Sequence, residues 1–242
     1  MANFNNAKNI LVGASPLFLS SKDSTLSGYT ENMEPNSADG VAWVSGTSYT
    51  TTLNGDSTFR NVGYTNNGLQ ITYNPTYGSV TVDQLLDTAK LFKESMEVMI
   101  ATEMTEGTLE NVMSVFGQSG TDVSSSPISA TNTLTTESGY SAGTVNKTKT
   151  LGLAAGALGV APTERQLVAV GQAPTAANDA VSAERIYYAR RVLSVQQSQF
   201  SLSRNNPTVF PVTFRLLPDG NTAYAGQEYG KIIDRVLVAA AV

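Results

Sequence analysis

Between Phe210 and Leu216 every second residue is apolar: Phe210, Val212, Phe214 and Leu216 alternate with Pro211, Thr213 and Arg215. Successive side chains of a strand point to opposite faces, so a period of two specifies a strand with one face buried. The pattern recurs where Leu69, Ile71 and Tyr73 alternate with Gln70 and Thr72, and it restarts over 79–83 with Val80 and Val82. Turn formers punctuate these runs. Asn54-Gly55 and Asn67-Gly68 are tight-turn pairs. Asn74-Pro75 reads as a break, and Pro218-Asp219-Gly220 as a turn. The chain therefore reads as mainly β.

Other segments are read the same way. Residues 8–12 are expected to form a first short strand. Residues 13–39 mix Ser, Pro, Asp and Gly without a period and read as a long arm or loop. Strands are expected over 47–53, 58–65, 166–170, 200–203 and 231–238, with Pro207 and Pro211 confined to edges or strand ends. The stretch 82–105 fits two patterns. As a helix it gathers Val82, Leu85, Leu86, Ala89, Phe92, Met96, Met99 and Ile100; as a strand, Phe92, Met96, Val98, Ile100 and Met104 alternate with charged and polar residues. Residues 180–196 are similarly open between helix and strand. A short helix is expected over 108–116, with Thr108 as N-cap, Glu110 in the first turn, Gly117 as the left-handed cap, and Leu109, Val112, Met113 and Phe116 as its apolar stripe. Residues 118–150 are dominated by Ser and Thr and read as an insertion or extended loop.

The chain contains no His and no Cys. That excludes a Ser-His-Asp triad, a Cys-His pair, His- or thiolate-ligated metals, and disulfides. Asp83 and Asp87, with Glu94 and Glu97, resemble a carboxylate pair only in spacing, and solvated charges on a polar face account for them. The Gly-rich run over 152–159 lacks the Lys-Ser/Thr ending of a phosphate loop and suits close backbone packing. Asp122 and its Ser neighbours do not match a calcium loop. Arg185, Arg190 and Arg191 with Tyr187 and Tyr188 are the one basic-aromatic cluster, read as cross-strand or subunit contacts in preference to nucleic-acid stacking. Trp43 reads as a packing anchor. No catalytic, cofactor-binding or metal-ligating residue is expected, and no enzyme activity. Charged residues make up 14% of the chain, against ~25% in an ordinary soluble domain, and the net charge is −5. A polar but weakly charged surface is desolvated at lower cost, which favours self-association, while the acidic balance argues against a general nucleic-acid binder. The N-terminus lacks the pattern of a secretory signal, no run reaches the ~18 apolar residues of a membrane span, and the apolar end at 236–242 is too short for one.

The segment Val62-Gly-Tyr-Thr-Asn-Asn-Gly-Leu-Gln-Ile-Thr-Tyr-Asn-Pro75 leads into Thr81-Val-Asp-Gln84 and then Thr105-Glu-Gly-Thr-Leu-Glu-Asn-Val112. Near the other end, Val209-Phe-Pro-Val-Thr-Phe-Arg-Leu-Leu-Pro-Asp-Gly220 precedes Lys231-Ile-Ile-Asp234. This ordered set, covering about 58–117 and 200–238, resembles the phage tail tube (major tail) protein family. The resemblance implies an antiparallel β-sandwich or partial barrel with one short flanking helix and long loops, and it selects the strand pattern for about 92–105. It implies a single domain over 1–242, with an arm at about 13–40 and an insertion at about 118–150. Subunits of the family form hexameric rings that stack into a tube, with strands lining the lumen as a continuous barrel. The implied partners are other copies, a tape-measure protein, and tail terminator and baseplate proteins, with a sheath as a further one the resemblance allows. DNA passes only transiently, no membrane is bound, and the place is the virion, after assembly in the host cytoplasm. Two other expectations fit the residues. One is a monomeric β-sandwich that binds receptor carbohydrate, with Tyr29, Tyr49, Tyr64, Tyr73 and Tyr77 as stacking faces. The other is a tube protein of the type VI secretion class.

Overall fold

A computed structural model describes residues 15–31, 33, 52, 53, 56–84, 87–118, 151, 153, 158, 159, 161–174, 182–196, 198–202, 204, 205 and 207–237. Among them are nine strands and one α-helix: β1 (Leu17–Ser20), β2 (Thr52–Leu53), β3 (Asp56–Asn61), β4 (Thr65–Thr81), β5 (Thr88–Met104), α1 (Leu109–Val115), β6 (Arg165–Gln172), β7 (Ser182–Ser194), β8 (Phe210–Leu216) and β9 (Gly230–Leu237). All pairings are antiparallel. The order is β2-β3-β1-β6-β7-β8-β5-β4, with β9 joined to β7. The sheet is open, and among the described residues no strand pairs the outer edges of β2, β4 and β9.

β7 is the strand on which the sheet divides. One side pairs with β6. The other pairs with β9 through residues 182–189, then with β8 through residues 192–194. Two sub-sheets thus share β7. Their apolar side chains meet in one core, where Leu17, Leu19, Leu167 and Ala169 join Val98, Ile100, Met104, Val212, Phe214 and Leu216. Each of these side chains other than Ala169 stabilises the fold by about 1.5–3 kcal/mol on leaving water. The alternate residues Phe18, Phe59, Val168, Val170, Ile186 and Tyr188 form a second cluster on the opposite face. β1 and the first six residues of β6 are consequently buried throughout.

Polar groups tie down what covers that second face. Gln166 is fully buried. Its Oε1 accepts from the Met33 N–H and the Tyr188 hydroxyl at 2.8 Å each, and its Nε2 donates to the Thr30 carbonyl at 2.7 Å. Asp23, also buried, accepts from the Thr25 N–H at 2.9 Å and lies 3.7 Å from Arg165, which donates to the Ser20 carbonyl. The segment after β1 is thereby laid over β6, and Met33 packs on the second cluster.

α1 begins where expected: Thr108 is extended and its side chain accepts from the Asn111 N–H. Gly117, at φ 62°, takes the left-handed position after the last turn. The buried face keeps Met113 of the expected stripe, with Val112 packed against the core, but it is rotated away from Phe116. Asn111, Met113, Ser114 and Val115 point inward, whereas Phe116 is about one-third exposed and stacks on Phe200. Asn111 explains the rotation. Its Nδ2 donates to the Val62 carbonyl at 2.7 Å and the Glu106 carbonyl at 2.9 Å, and its Oδ1 accepts from Arg60 at 2.7 Å. A polar residue with three internal partners outcompetes the apolar stripe for the interior.

The strand pattern holds for the stretch from 88 to 104 and for 182–194, and β6, β8 and β9 match expected strands within a few residues. Four expectations are corrected. Asn67-Gly68 is not a turn: both residues have positive φ, but they form a bulge inside β4, which steps from Asn66↔Glu103 to Gln70↔Ala101. Asn74-Pro75 does not break the strand, because β4 is outermost and one side of its backbone needs no partner. Residues 200–202 are irregular. The supposed arm contains β1, which lies between β3 and β6; a strand buried on both faces has no alternation to detect. The expected strand at 8–12, Trp43, Tyr49, Asn54-Gly55, Asp122, most of 118–150 and most of the 152–159 run lie outside the described residues.

Replacing Asn111 with Ala is expected to cost about 2–4 kcal/mol, because two carbonyls and a guanidinium lose their partner in the interior. Urea unfolding should show a lower midpoint with an unchanged slope. An unchanged midpoint would contradict this account of α1.

Candidate assembly interface

β4 and β5 are seventeen residues each, whereas β8, the next strand of the sheet, has seven. Only Met99–Met104 of β5 pairs with β8. The other eleven residues of β5, 88–98, run on with β4 as a two-stranded ribbon of roughly 35 Å. Through residue 95 every described β5 position from Thr88 is exposed. Two-stranded ribbons are marginal in water on their own, so a long one that no other described strand pairs calls for a partner.

The ribbon has two different faces. One continues the core side: Ile71 lies opposite Ile100, Tyr73 opposite Val98, Pro75 opposite Met96, Tyr77 opposite Lys93 and Ser79 opposite Leu91. Its apolar groups emerge from the core with Ile71 44%, Tyr73 61%, Tyr77 58% and Leu91 64% exposed, a stripe along one side of the ribbon. Lys93 sits 5.7 Å from the Tyr73 ring centre. The other face carries Gln70, Thr72, Asn74 and Thr76, with Glu97 3.6 Å from Arg215. There Phe92 lies on Gly78, leaving no room for a Cβ. β5 bulges at Glu94 and Ala89, which the register skips. Asp87, near the tip, accepts from the Thr88 N–H at 2.7 Å.

The basic-aromatic cluster has internal partners throughout. Arg185 forms a two-pronged pair with Asp234 on the neighbouring strand, at 2.5 and 2.6 Å. The guanidinium holds the Asp234 carboxyl below its ordinary pKa, so this contribution is present above that value and fades as pH falls through the lowered one. The pair is partly exposed and adds little to stability. Arg191 grips Glu164 at 2.7 and 2.8 Å and donates to the Pro218 carbonyl. Arg190 is 1% exposed and stacks 3.7 Å from the Tyr224 ring centre. Arg185–Asp234 is a cross-strand pair, one of the two kinds of contact expected, while Arg190 and Arg191 hold Tyr224 and Glu164 outside the strands.

The remaining candidates scatter. Asp83 and Asp87 flank the ribbon tip, Glu94 sits at a bulge and Glu97 pairs with Arg215. Among the described residues no group of three or more acidic side chains is placed to hold a metal. Of the tyrosines, Tyr64, Tyr73 and Tyr77 are exposed. Tyr29 is half-buried; burial raises its pKa, and a hydrogen bond with Gln166 works against that rise. A shallow hollow at the ribbon base is lined by Asn67, Gln70, Glu103, Gln196, Pro211 and Thr213 among others. No helix among the described residues is long and apolar enough to cross a membrane. Sequence patterning missed the extent of the ribbon because two turn-like pairs interrupt β4. No family model and no curated protein matches the chain.

Tyr73→Thr, Tyr77→Thr and Leu91→Thr combined keep β-propensity and remove the exposed apolar stripe. Unfolding free energy is expected to fall by less than about 1.5 kcal/mol, since the positions are exposed. Sedimentation should show the triple variant monomeric at concentrations where the parent chain associates. Equal association would show that this stripe is not the contact.

Proposed function

We propose that this chain is a structural, self-assembling subunit: the tail tube protein of a phage virion, forming stacked hexameric rings through which DNA passes to the host. The observation that carries this reading is the β4–β5 ribbon, a long extension of the core sheet with an apolar stripe and edges that no other described strand pairs. A ring of copies gives every ribbon a neighbour and covers those edges, as closed barrels do. The sequence landmarks also support it, because they lie together: β4, β5 and β8 are successive strands of one sub-sheet, and α1 follows β5 directly. A weakly charged surface favours the same outcome.

In this reading the chain is not an enzyme. Its partners are copies of itself, a tape-measure protein, and terminator and baseplate proteins. It resides in the virion after assembly in the host cytoplasm. The largely neutral ribbon face, with Glu97 beside Arg215, suits a lumen that DNA slides through without being held.

Negative-stain microscopy of the purified chain, alone and with lysate of infected cells, tests the proposal. Rings or tubes of uniform diameter are expected, with no duplex DNA bound by the isolated subunit. Persistent monomers under all conditions would contradict it, and glycan binding by such monomers would favour a carbohydrate-binding module.

A further inference from the structure

β4 is the outermost strand of its sub-sheet and has seventeen residues without one charged side chain. Natural sheets guard such edges with charges, prolines or bulges, since an open row of N–H and C=O groups pairs with any extended chain. Here the guards are two: the Asn67-Gly68 bulge and Pro75. Between them the register runs unbroken from Gln70↔Ala101 to Thr76↔Ser95.

In an antiparallel pair, opposed residues alternate between those that bond to each other and those whose backbone groups point outward. Proline has no N–H and fits only the outward kind. Opposite it, Met96 turns its carbonyl away from β4, 3.5 Å from the Tyr229 hydroxyl. Pro75 therefore stands at an outward position, and by parity so do Ile71 and Tyr73. Ile71 and Tyr73 offer both an N–H and a C=O to a newcomer, whereas Pro75 offers a C=O alone.

From this geometry we infer that the β4 edge over residues 70–74 is a pairing site for a strand of a second copy, and that Pro75 is the stop that fixes its register and limits its length. The inference rests on the self-association proposed above. A second copy is the fitting occupant because the edge is neutral in a chain of net charge −5, so copies meet there without repulsion from β4 itself. A newcomer held between the bulge and Pro75 has one register. Without the stop, it can slide along 76–81, and β4 becomes a long neutral edge that pairs in several registers.

Pro75→Thr restores the missing N–H with a strand-favouring side chain, and Asn74→Thr, whose N–H already faces β5, is the control. Circular dichroism and thermal unfolding establish that each variant is folded. Pro75→Thr is expected to associate at a concentration about three- to tenfold lower than the parent, measured by light scattering, as one added hydrogen bond per contact allows. Asn74→Thr should match the parent. Hydrogen exchange should show protection that appears only on association, at the outward N–H groups of Ile71 and Tyr73 in the parent and also beyond residue 75 in Pro75→Thr. Equal association by Pro75→Thr and parent, or association-dependent protection on both sides of Pro75 in the parent, overturns the inference. A parent that associates without forming rings removes the tube proposal and leaves this comparison intact, whereas a parent that stays monomeric at every concentration overturns this inference as well.

Discussion

The ladder between Met99–Met104 of β5 and β8 holds the molecule's two characters together. On one side of it lies the buried core, to which Ile100, Met104, Val212 and Phe214 contribute. On the other, β5 runs out of the sheet with β4 as its only strand partner among the described residues. A two-stranded ribbon is marginal alone, so its order depends on the ladder at its base. β8 in turn reaches the rest of the fold by only three pairs with β7. The common core of the two sub-sheets supplies what those three pairs do not.

The fold also depends on buried polar groups that specify where chain segments go. Gln166 and Asn111 each gather three internal partners and stand at the two places where irregular chain meets the sheet. Apolar packing alone permits many ways to lay a loop on a flat face. A side-chain amide whose donors and acceptor are all committed permits one, because any displacement leaves polar atoms unpaired in the interior.

The legible parts of the sequence were those with one buried face. β8 alternates cleanly because its inner residues meet the core while Pro211 and Arg215 face outward, and α1 carries its capping signals at both ends. β1 was illegible, since Leu17, Phe18 and Leu19 are buried on two faces and show no period. β4 reads as the end of one strand, a second over 69–73 and a third from 79, because Asn67-Gly68 is a local turn signal and Asn74-Pro75 a local break. The long ladder to β5 overrides them, turning one into a bulge and leaving the other at an open edge. The candidate interface shows in the sequence only as an ambiguity: residues 88–95 face solvent on both sides, so neither period is enforced there. The resemblance, not the periodicity, selected the strand.

Whether copies of the chain meet through the ribbon is tested most directly by an image reconstruction of particles assembled from the purified chain. The account predicts a closed ring in which β4 and the exposed Tyr73, Tyr77 and Leu91 stripe of each copy are covered by its neighbour. A ring with the ribbon bare in solvent and copies joined elsewhere would contradict it, as would a chain that stays monomeric at every concentration.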